Sequence, residues 1–128
     1  MDKKTFIFVT FQKEGIHCFP QALEDQAFKT GEWDDVSFLG YPHRHMFHVK
    51  LYVEVFHDDR DIEFIQLKRW ILSQFDNGTI NFNSKSCEMI SDDLYNLVIN
   101  KYPNREIKIE VSEDNENGSY TEYANISK

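Results

Sequence analysis

The chain has 128 residues, and its 41% hydrophobic content, including eleven Phe, suffices for one hydrophobic core, so we expect a single domain over residues 1–128. Its formal net charge of −8 argues against a general nucleic-acid surface, because such surfaces neutralise phosphates with Lys and Arg. No apolar run approaches the roughly 20 residues of a membrane span, the first residues lack a signal-peptide pattern, and two cysteines make no disulfide framework, so we expect a cytoplasmic protein without membrane partners.

The first half of the chain predicts two strands separated by an irregular segment. Residues 5–12 are dense in Phe, Ile and Val and predict a strand, and residues 21–28 predict a short helix. Residues 36–39 predict the start of the partner strand. After a kink at a Gly and a Pro, this partner continues as a long strand over residues 43–56.

The long strand carries two histidines at its start. Its apolar side chains occupy the odd-numbered positions from Phe47 to Val55, and period-2 alternation sends them to one face of a sheet. His43 and His45 are odd-numbered too, so both imidazoles leave the chain on that side, at a spacing that suits one metal ion. A His-x-His pair on a strand is more often two polar residues near a sheet edge. The pair alone therefore leaves both interpretations open.

The second half of the chain predicts two helices followed by two strands. Apolar residues recur at helical spacing over residues 61–75, and Ser86 is a good N-cap for a second helix. Strands at 107–113 and 119–123 follow, joined through Asn117-Gly118, a strong hairpin signal. Paired strands at both ends with helices between them indicate an α+β fold, an antiparallel four-stranded sheet with two helices packed on one face.

This order of elements, with its histidines and acids, resembles the 6-pyruvoyl-tetrahydropterin synthase and 6-carboxy-tetrahydropterin synthase family, whose members have the tunnelling fold. The resemblance spans residues from about Phe6 to Tyr123. Short segments in the family's order carry it, and they are His17, the His-pair segment His43–Val49, the acidic-Phe segment Glu63–Lys68, the helix start Ser86–Glu88 and the late strand end Glu110–Glu113. Each segment alone is weakly specific, but their common order is much more so.

The resemblance implies a zinc site, a bound pterin and an assembly of several chains. Family members hold Zn²⁺ with three histidines, matched here by His17, His43 and His45, and they hold the pterin with a late Glu, matched by Glu113. A backbone amide of the hairpin is the alternative partner for Glu113. Glu88 is a second substrate-binding candidate, or only a first-turn acid that stabilises its helix. Because family members join their sheets into a barrel, we expect a homo-oligomer, a trimer or a hexamer of two stacked trimers.

The chain departs from the family at the acid–base groups. Family members place a catalytic Cys four residues before the first histidine of the pair, and this position is Leu39 here. Their Asp-His pair after the first helix is matched by Asp76-Asn77, which leaves Asp76 as the candidate for proton transfer. A leucine moves no proton, and an asparagine does not titrate in a useful range. Cys18 follows His17 directly, so alternation predicts that its thiol faces away from the metal unless the chain bends there.

Three hypotheses of function follow. The leading one is a zinc-dependent enzyme resembling 6-carboxy/6-pyruvoyl-tetrahydropterin synthase, a lyase-like activity on a pterin triphosphate or a related purine-derived compound. The alternative is a non-catalytic protein of the same fold that binds a pterin or nucleotide, which the unmatched Cys and His favour. In the third, the histidines bind nothing and the protein is structural.

Overall fold

The computed structural model describes residues 2–24 and 36–125, which form a five-stranded sheet with helices on one face. In chain order, the elements are β1 (Thr5–His17), α1 (Gln21–Glu24), a 3-10 helix (Ser37–Gly40), β2 (His43–Val55), α2 (Phe64–Ser73), β3 (Ile80–Asn83), α3 (Cys87–Lys101), β4 (Ile107–Glu113) and β5 (Asn117–Tyr123). The strand order is β3-β1-β2-β4-β5. Every neighbouring pair is antiparallel except β3 with β1, which is parallel.

The core lies between one sheet face and the helices α2 and α3. The odd-numbered side chains of β2 from Phe47 to Val55 are at most 8% exposed, as the alternation predicts. They form one cluster with apolar side chains of α2 and α3, namely Leu67, Ile71, Ile90, Leu94 and Val98. The predicted α+β fold is therefore confirmed. The same face of β2 continues through His45 to His43, so the histidine pair extends the end of the core.

The sheet has five strands, and the prediction of four was wrong. The additional strand β3 has only four residues and pairs with Gly15, Ile16 and His17 at the end of β1. A segment this short carries too little alternation to predict a strand. Residues 36–39 were predicted as a strand, but Ser37–Gly40 form a 3-10 helix. The predicted helix over residues 21–28 is present as Gln21–Glu24, and its remainder lies outside the described residues.

Both long helices begin at side chains that cap their free amides. The Glu63 carboxylate accepts hydrogen bonds from the backbone amides of Ile65 and Gln66, so α2 begins later than the predicted residue 61. Ser86 accepts from the amide of Met89, and the predicted N-cap of α3 is confirmed. Within residues 2–24 and 36–125, no helix combines the length and the apolar character needed to cross a membrane.

The hairpin between β4 and β5 turns earlier than predicted. Asp114 and Asn115 have φ values of 54° and 59°, in the left-handed region that Asn and Asp tolerate best, and the amide of Glu116 donates to the Glu113 carbonyl. Asn117-Gly118, predicted as the turn, lies inside β5. Gly118 is required there by close approach, because a Cβ would lie 2.1 Å from the Val111 carbonyl oxygen. The turn thus brings Asp114 to the end of β2.

Candidate metal centre and adjoining cavity

The register of β1, β2 and β4 brings the predicted ligands together. His17 lies directly opposite His43 in the antiparallel β1–β2 ladder, and His45 is two residues further along the same face. Glu113, at the end of β4, lies opposite Phe47 on the other side of β2. The ends of three strands therefore place these side chains together at one end of the core face.

The three imidazoles form a compact cluster. One ring nitrogen of each histidine lies within 4.8 Å of the corresponding nitrogens of the other two. The ring centroids of His17 and His43 are 4.6 Å apart, and those of His43 and His45 are 4.9 Å apart. His17 is only 8% exposed, while His43 and His45 are partly buried. Three imidazoles at this spacing, partly shielded from water, are a donor set that suits Zn²⁺.

Each imidazole is oriented by an oxygen on its outer side. The Nδ1 atom of His17 is 2.8 Å from the Lys85 carbonyl oxygen, and that of His43 is 2.8 Å from the Tyr41 carbonyl oxygen. The third, of His45, is 2.7 Å from Oδ2 of Asp114. Because these oxygens only accept, each Nδ1 donates a proton, and Nε2 of the neutral ring keeps its lone pair. Such outer partners are the usual support of metal-binding histidines.

The inner nitrogens have no hydrogen-bond partner that satisfies them. Nε2 of His17 and Nε2 of His45 are both buried without a hydrogen bond within the described part of the chain. The carboxylate of Glu113 approaches them, at 2.9 Å from His17 Nε2 and 3.5 Å from His45 Nε2, but in directions that make no hydrogen bond. Buried polar nitrogens normally have a partner. The residues therefore fit a cation held between the imidazoles.

Asp114 links the histidine cluster to the hairpin. Its Oδ2 accepts from His45, and its Oδ1 accepts from the backbone amide of Met46 at 2.9 Å. These hydrogen bonds, first the one from His45 and then the one from Met46, lower the pKa of the Asp114 carboxyl below its usual value, because they stabilise the ionised form. Asp114 is thus an anionic acceptor behind His45.

A cavity of about 460 Å³ adjoins the imidazoles, and its size suits a small organic molecule. His17, His43 and Glu113 line one side, and the start of α3 lines another, including Glu88. The structure therefore brings two of the three clustered histidines and both predicted substrate-binding residues to one cavity. Leu39, at the position where the resemblance predicts a Cys, lines the same cavity.

Two cysteines, Cys18 and Cys87, also line this cavity. The thiol of Cys18 was predicted to face away from the metal unless the chain bends there. Alternation ends at His17, where β1 ends, so Cys18 is free to turn toward the cavity, and its amide donates to the Asn83 carbonyl. Among the described residues, Cys18 does not join the cluster of His17, His43 and His45, so the orientation of its thiol relative to a metal stays a prediction. Cys87 is buried at the start of α3, and burial, with smaller effects of the charges of Glu113 and Glu88, raises its pKa to about 12. Cys87 is thus a poor proton acceptor.

Asp76 lies apart from this group. It follows α2, its side chain is exposed, and its backbone carbonyl is 3.5 Å from the Lys13 ammonium. It is not among the described residues that line the cavity. Its role in proton transfer stays a prediction.

Sequence reasoning missed Asp114, although a signal was present. Alternation from Glu113 would send the next side chain to the opposite face, but the Asp-Asn pair that follows the strand is typical of a left-handed turn. Such a turn changes the direction of the chain and, with it, the direction of the carboxylate. The partner of that carboxylate became evident only from the strand register.

Comparisons with known proteins identify the fold. No protein-family model matches the sequence, and no curated protein matches it. The crystal structure of 6-pyruvoyl tetrahydropterin synthase from Plasmodium vivax is similar, with a TM-score of 0.61 and 15% sequence identity. The similarity covers 95% of this chain and 99% of that one. The chain therefore has the tunnelling fold of that enzyme over nearly its whole length.

Proposed function

We propose that the protein is a zinc-dependent enzyme of the 6-carboxy/6-pyruvoyl-tetrahydropterin synthase type, acting on a pterin triphosphate or a related purine-derived compound. The observation that carries this proposal is the cluster of His17, His43 and His45 beside a cavity of about 460 Å³. The inner nitrogens of His17 and His45 are buried without a hydrogen bond, and His17 and His43 line the cavity. Zinc bound there would act as a Lewis acid on a substrate oxygen.

The protein side chains of the cavity would bind and orient the substrate. Glu113 is 28% exposed and lines the cavity, so its carboxylate is available to accept two hydrogen bonds from the guanidine-like edge of a pterin or purine. Glu88 lies in the first turn of α3 and would contact a more exposed part of the ligand. Among the two thiols of the cavity, Cys18 is the better candidate to accept a proton, because burial disfavours the thiolate of Cys87.

Replacing Glu113 with Gln is expected to weaken pterin binding without removing zinc. The amide keeps the shape of the side chain but offers one acceptor instead of two, and hydrogen bonds to charged groups contribute about 1.5–3 kcal/mol. We therefore expect the dissociation constant of neopterin, measured by its fluorescence with zinc-saturated protein, to rise by about 10- to 100-fold.

Glu116→Gln is the matched control for this experiment. Glu116 lies in the same hairpin turn, is exposed and is outside the cavity lining, so its substitution changes the net charge equally. Equal neopterin affinity in the wild type and in the Glu113→Gln variant would contradict the anchoring role of Glu113. Loss of zinc from that variant would instead show that the carboxylate serves the metal.

A non-catalytic pterin or nucleotide binder is the second candidate. Leu39 favours it, because this apolar side chain lines the cavity at the position where the resemblance predicts the catalytic thiol. Turnover of dihydroneopterin triphosphate distinguishes the two candidates, since a binder protects this compound and an enzyme consumes it.

We further propose that the protein assembles through its sheet edges into a trimer or a hexamer of two stacked trimers. In the described part of the chain, β3 covers only the last three residues of β1, and the edge from Thr5 to Glu14 has no second strand partner. Unpaired edges of this length are usually covered in soluble proteins. Phe8, on this edge strand, is 53% exposed. In such an assembly, Asp76 could reach a cavity only as a residue of a neighbouring copy.

Light scattering at micromolar concentration is expected to give a mass three or six times the 15.3 kDa of the chain. This measurement needs no ligand and no metal, so it tests the assembly independently of the site. A monodisperse species of 15.3 kDa that still binds neopterin would show that the cavity is complete within one chain.

A further inference from the structure

Of the three oxygens that contact the outer nitrogens of the clustered histidines, the one at His45 belongs to a side chain, that of Asp114. The outer nitrogens of His17 and His43 contact backbone carbonyl oxygens, which no substitution removes, whereas His45 Nδ1 contacts the Asp114 carboxylate at 2.7 Å. The second carboxylate oxygen accepts from the Met46 amide, and the Asp114 amide donates to the Met46 carbonyl at 2.8 Å. Asp114 is therefore fixed in position at both its backbone and its side chain.

We propose that Asp114 is a positioning residue of the metal centre, which holds His45 in the tautomer that directs the Nε2 lone pair toward the metal. This inference rests on the proposed zinc site. A carboxylate can only accept here, so it requires the proton on Nδ1, which in the neutral imidazole leaves Nε2 with its lone pair. The same side chain joins the end of β2 to the turn after Glu113, so it also holds the cavity carboxylate in register with the histidines.

The Asp114→Asn substitution is expected to change the tautomer of His45 while it keeps the fold of the turn. The Met46 amide is a donor, so it selects the orientation in which the Asn oxygen faces Met46 and the Asn NH₂ group faces His45. The imidazole must then accept at Nδ1 and carry its proton on Nε2. Glu113 Oε1, 3.5 Å from that nitrogen, is close enough to accept a hydrogen bond from Nε2–H after a small movement. The ring would keep its place but present a proton to the metal.

The backbone conformation of residue 114 does not bias the comparison between the variants. Asp114 has a φ of 54°, a conformation that Asn and Gly adopt readily, so neither Asp114→Asn nor Asp114→Gly strains the turn. Asp114→Gly removes both side-chain hydrogen bonds and leaves His45 free to select its tautomer. Asn115, with a φ of 59° and a place outside the described lining of the cavity, provides the control Asn115→Gly.

The order of zinc affinities distinguishes a positioning role from a structural one. If Asp114 fixes the tautomer, Asn is the more harmful substitution, and affinity falls from wild type to Asp114→Gly to Asp114→Asn. If Asp114 only closes the turn, Asn is the milder substitution, because it keeps the hydrogen bond from Met46. Loss of such a supporting carboxylate typically weakens metal binding about 10- to 100-fold.

The test is competition for Zn²⁺ between each variant and a chromophoric chelator, with urea unfolding of the metal-free proteins measured in parallel. We expect Asp114→Asn to bind zinc about 10- to 100-fold more weakly than wild type, with an unchanged unfolding midpoint, and Asn115→Gly to bind normally. Equal affinity of Asp114→Asn and wild type, or weaker binding by Asp114→Gly than by Asp114→Asn, would overturn the inference. Absence of zinc binding by the wild type would refute the proposed metal centre itself.

Discussion

Replacing His45 with Ala is expected to abolish stoichiometric zinc binding. The proposed site offers three imidazoles. That of His45 has a buried inner nitrogen without a hydrogen bond, as does that of His17, and its outer nitrogen contacts a carboxylate. Removing it leaves two ligands, fewer than the three protein ligands that open zinc sites use. The zinc content of protein that is purified with zinc and then desalted should fall from about one zinc per chain in the wild type to almost none in the variant, as measured by plasma emission analysis.

His48→Ala is the matched control, since His48 lies on the same strand but on the opposite face. It pairs with Ser112 in the ladder, away from the cluster of His17, His43 and His45. The control should therefore keep its zinc. Full zinc content in the His45→Ala variant would show that the metal, if bound, lies elsewhere.

Alternation predicted the part of the site that lies on regular strands. The odd-numbered positions of β2 are buried, and His43 and His45 share their face, because side chains along a strand alternate without exception while the strand is straight. The two long helices and the four longer strands were predictable from their own periodicities, about 3.6 residues in a helix and two in a strand. The pairing register, which places His17 opposite His43, was not predictable, since it depends on contacts between distant segments. The grouping of His17 with His43 and His45 came from the resemblance alone.

Prediction failed where the chain leaves regular structure. The strand β1 ends at His17, so alternation no longer determines the face of Cys18, which lines the cavity. The left-handed turn at Asp114 redirected a side chain that alternation would place on the other face. The short edge strand β3 carries almost no signal of its own and is stabilised by its pairing with β1. These positions lie near the histidine cluster and the cavity. The errors therefore concerned the prediction of the site more than the prediction of the fold.

The Leu39→Cys substitution is expected to raise the rate at which the protein converts dihydroneopterin triphosphate. Leu39 lines the cavity beside His17 and His43, at the position where the resemblance predicts a catalytic thiol. A positioned acid–base group contributes roughly 100- to 10,000-fold to a reaction that requires proton transfer. We therefore expect weak turnover by the wild type and an increase in kcat of at least about 100-fold in the variant.

Leu39→Ala is the control for the loss of side-chain volume, and Cys18→Ala tests Cys18, one of the two native cysteines that line the cavity. If the missing thiol limits the rate, only Leu39→Cys accelerates the reaction, because Leu39→Ala enlarges the cavity without adding a base. Equal turnover by the Cys and Ala variants at position 39 would show that a thiol there does not act. Rapid turnover by the wild type that Cys18→Ala abolishes would contradict the prediction in another way, since Cys18 would then be the base and Leu39 only part of the cavity wall.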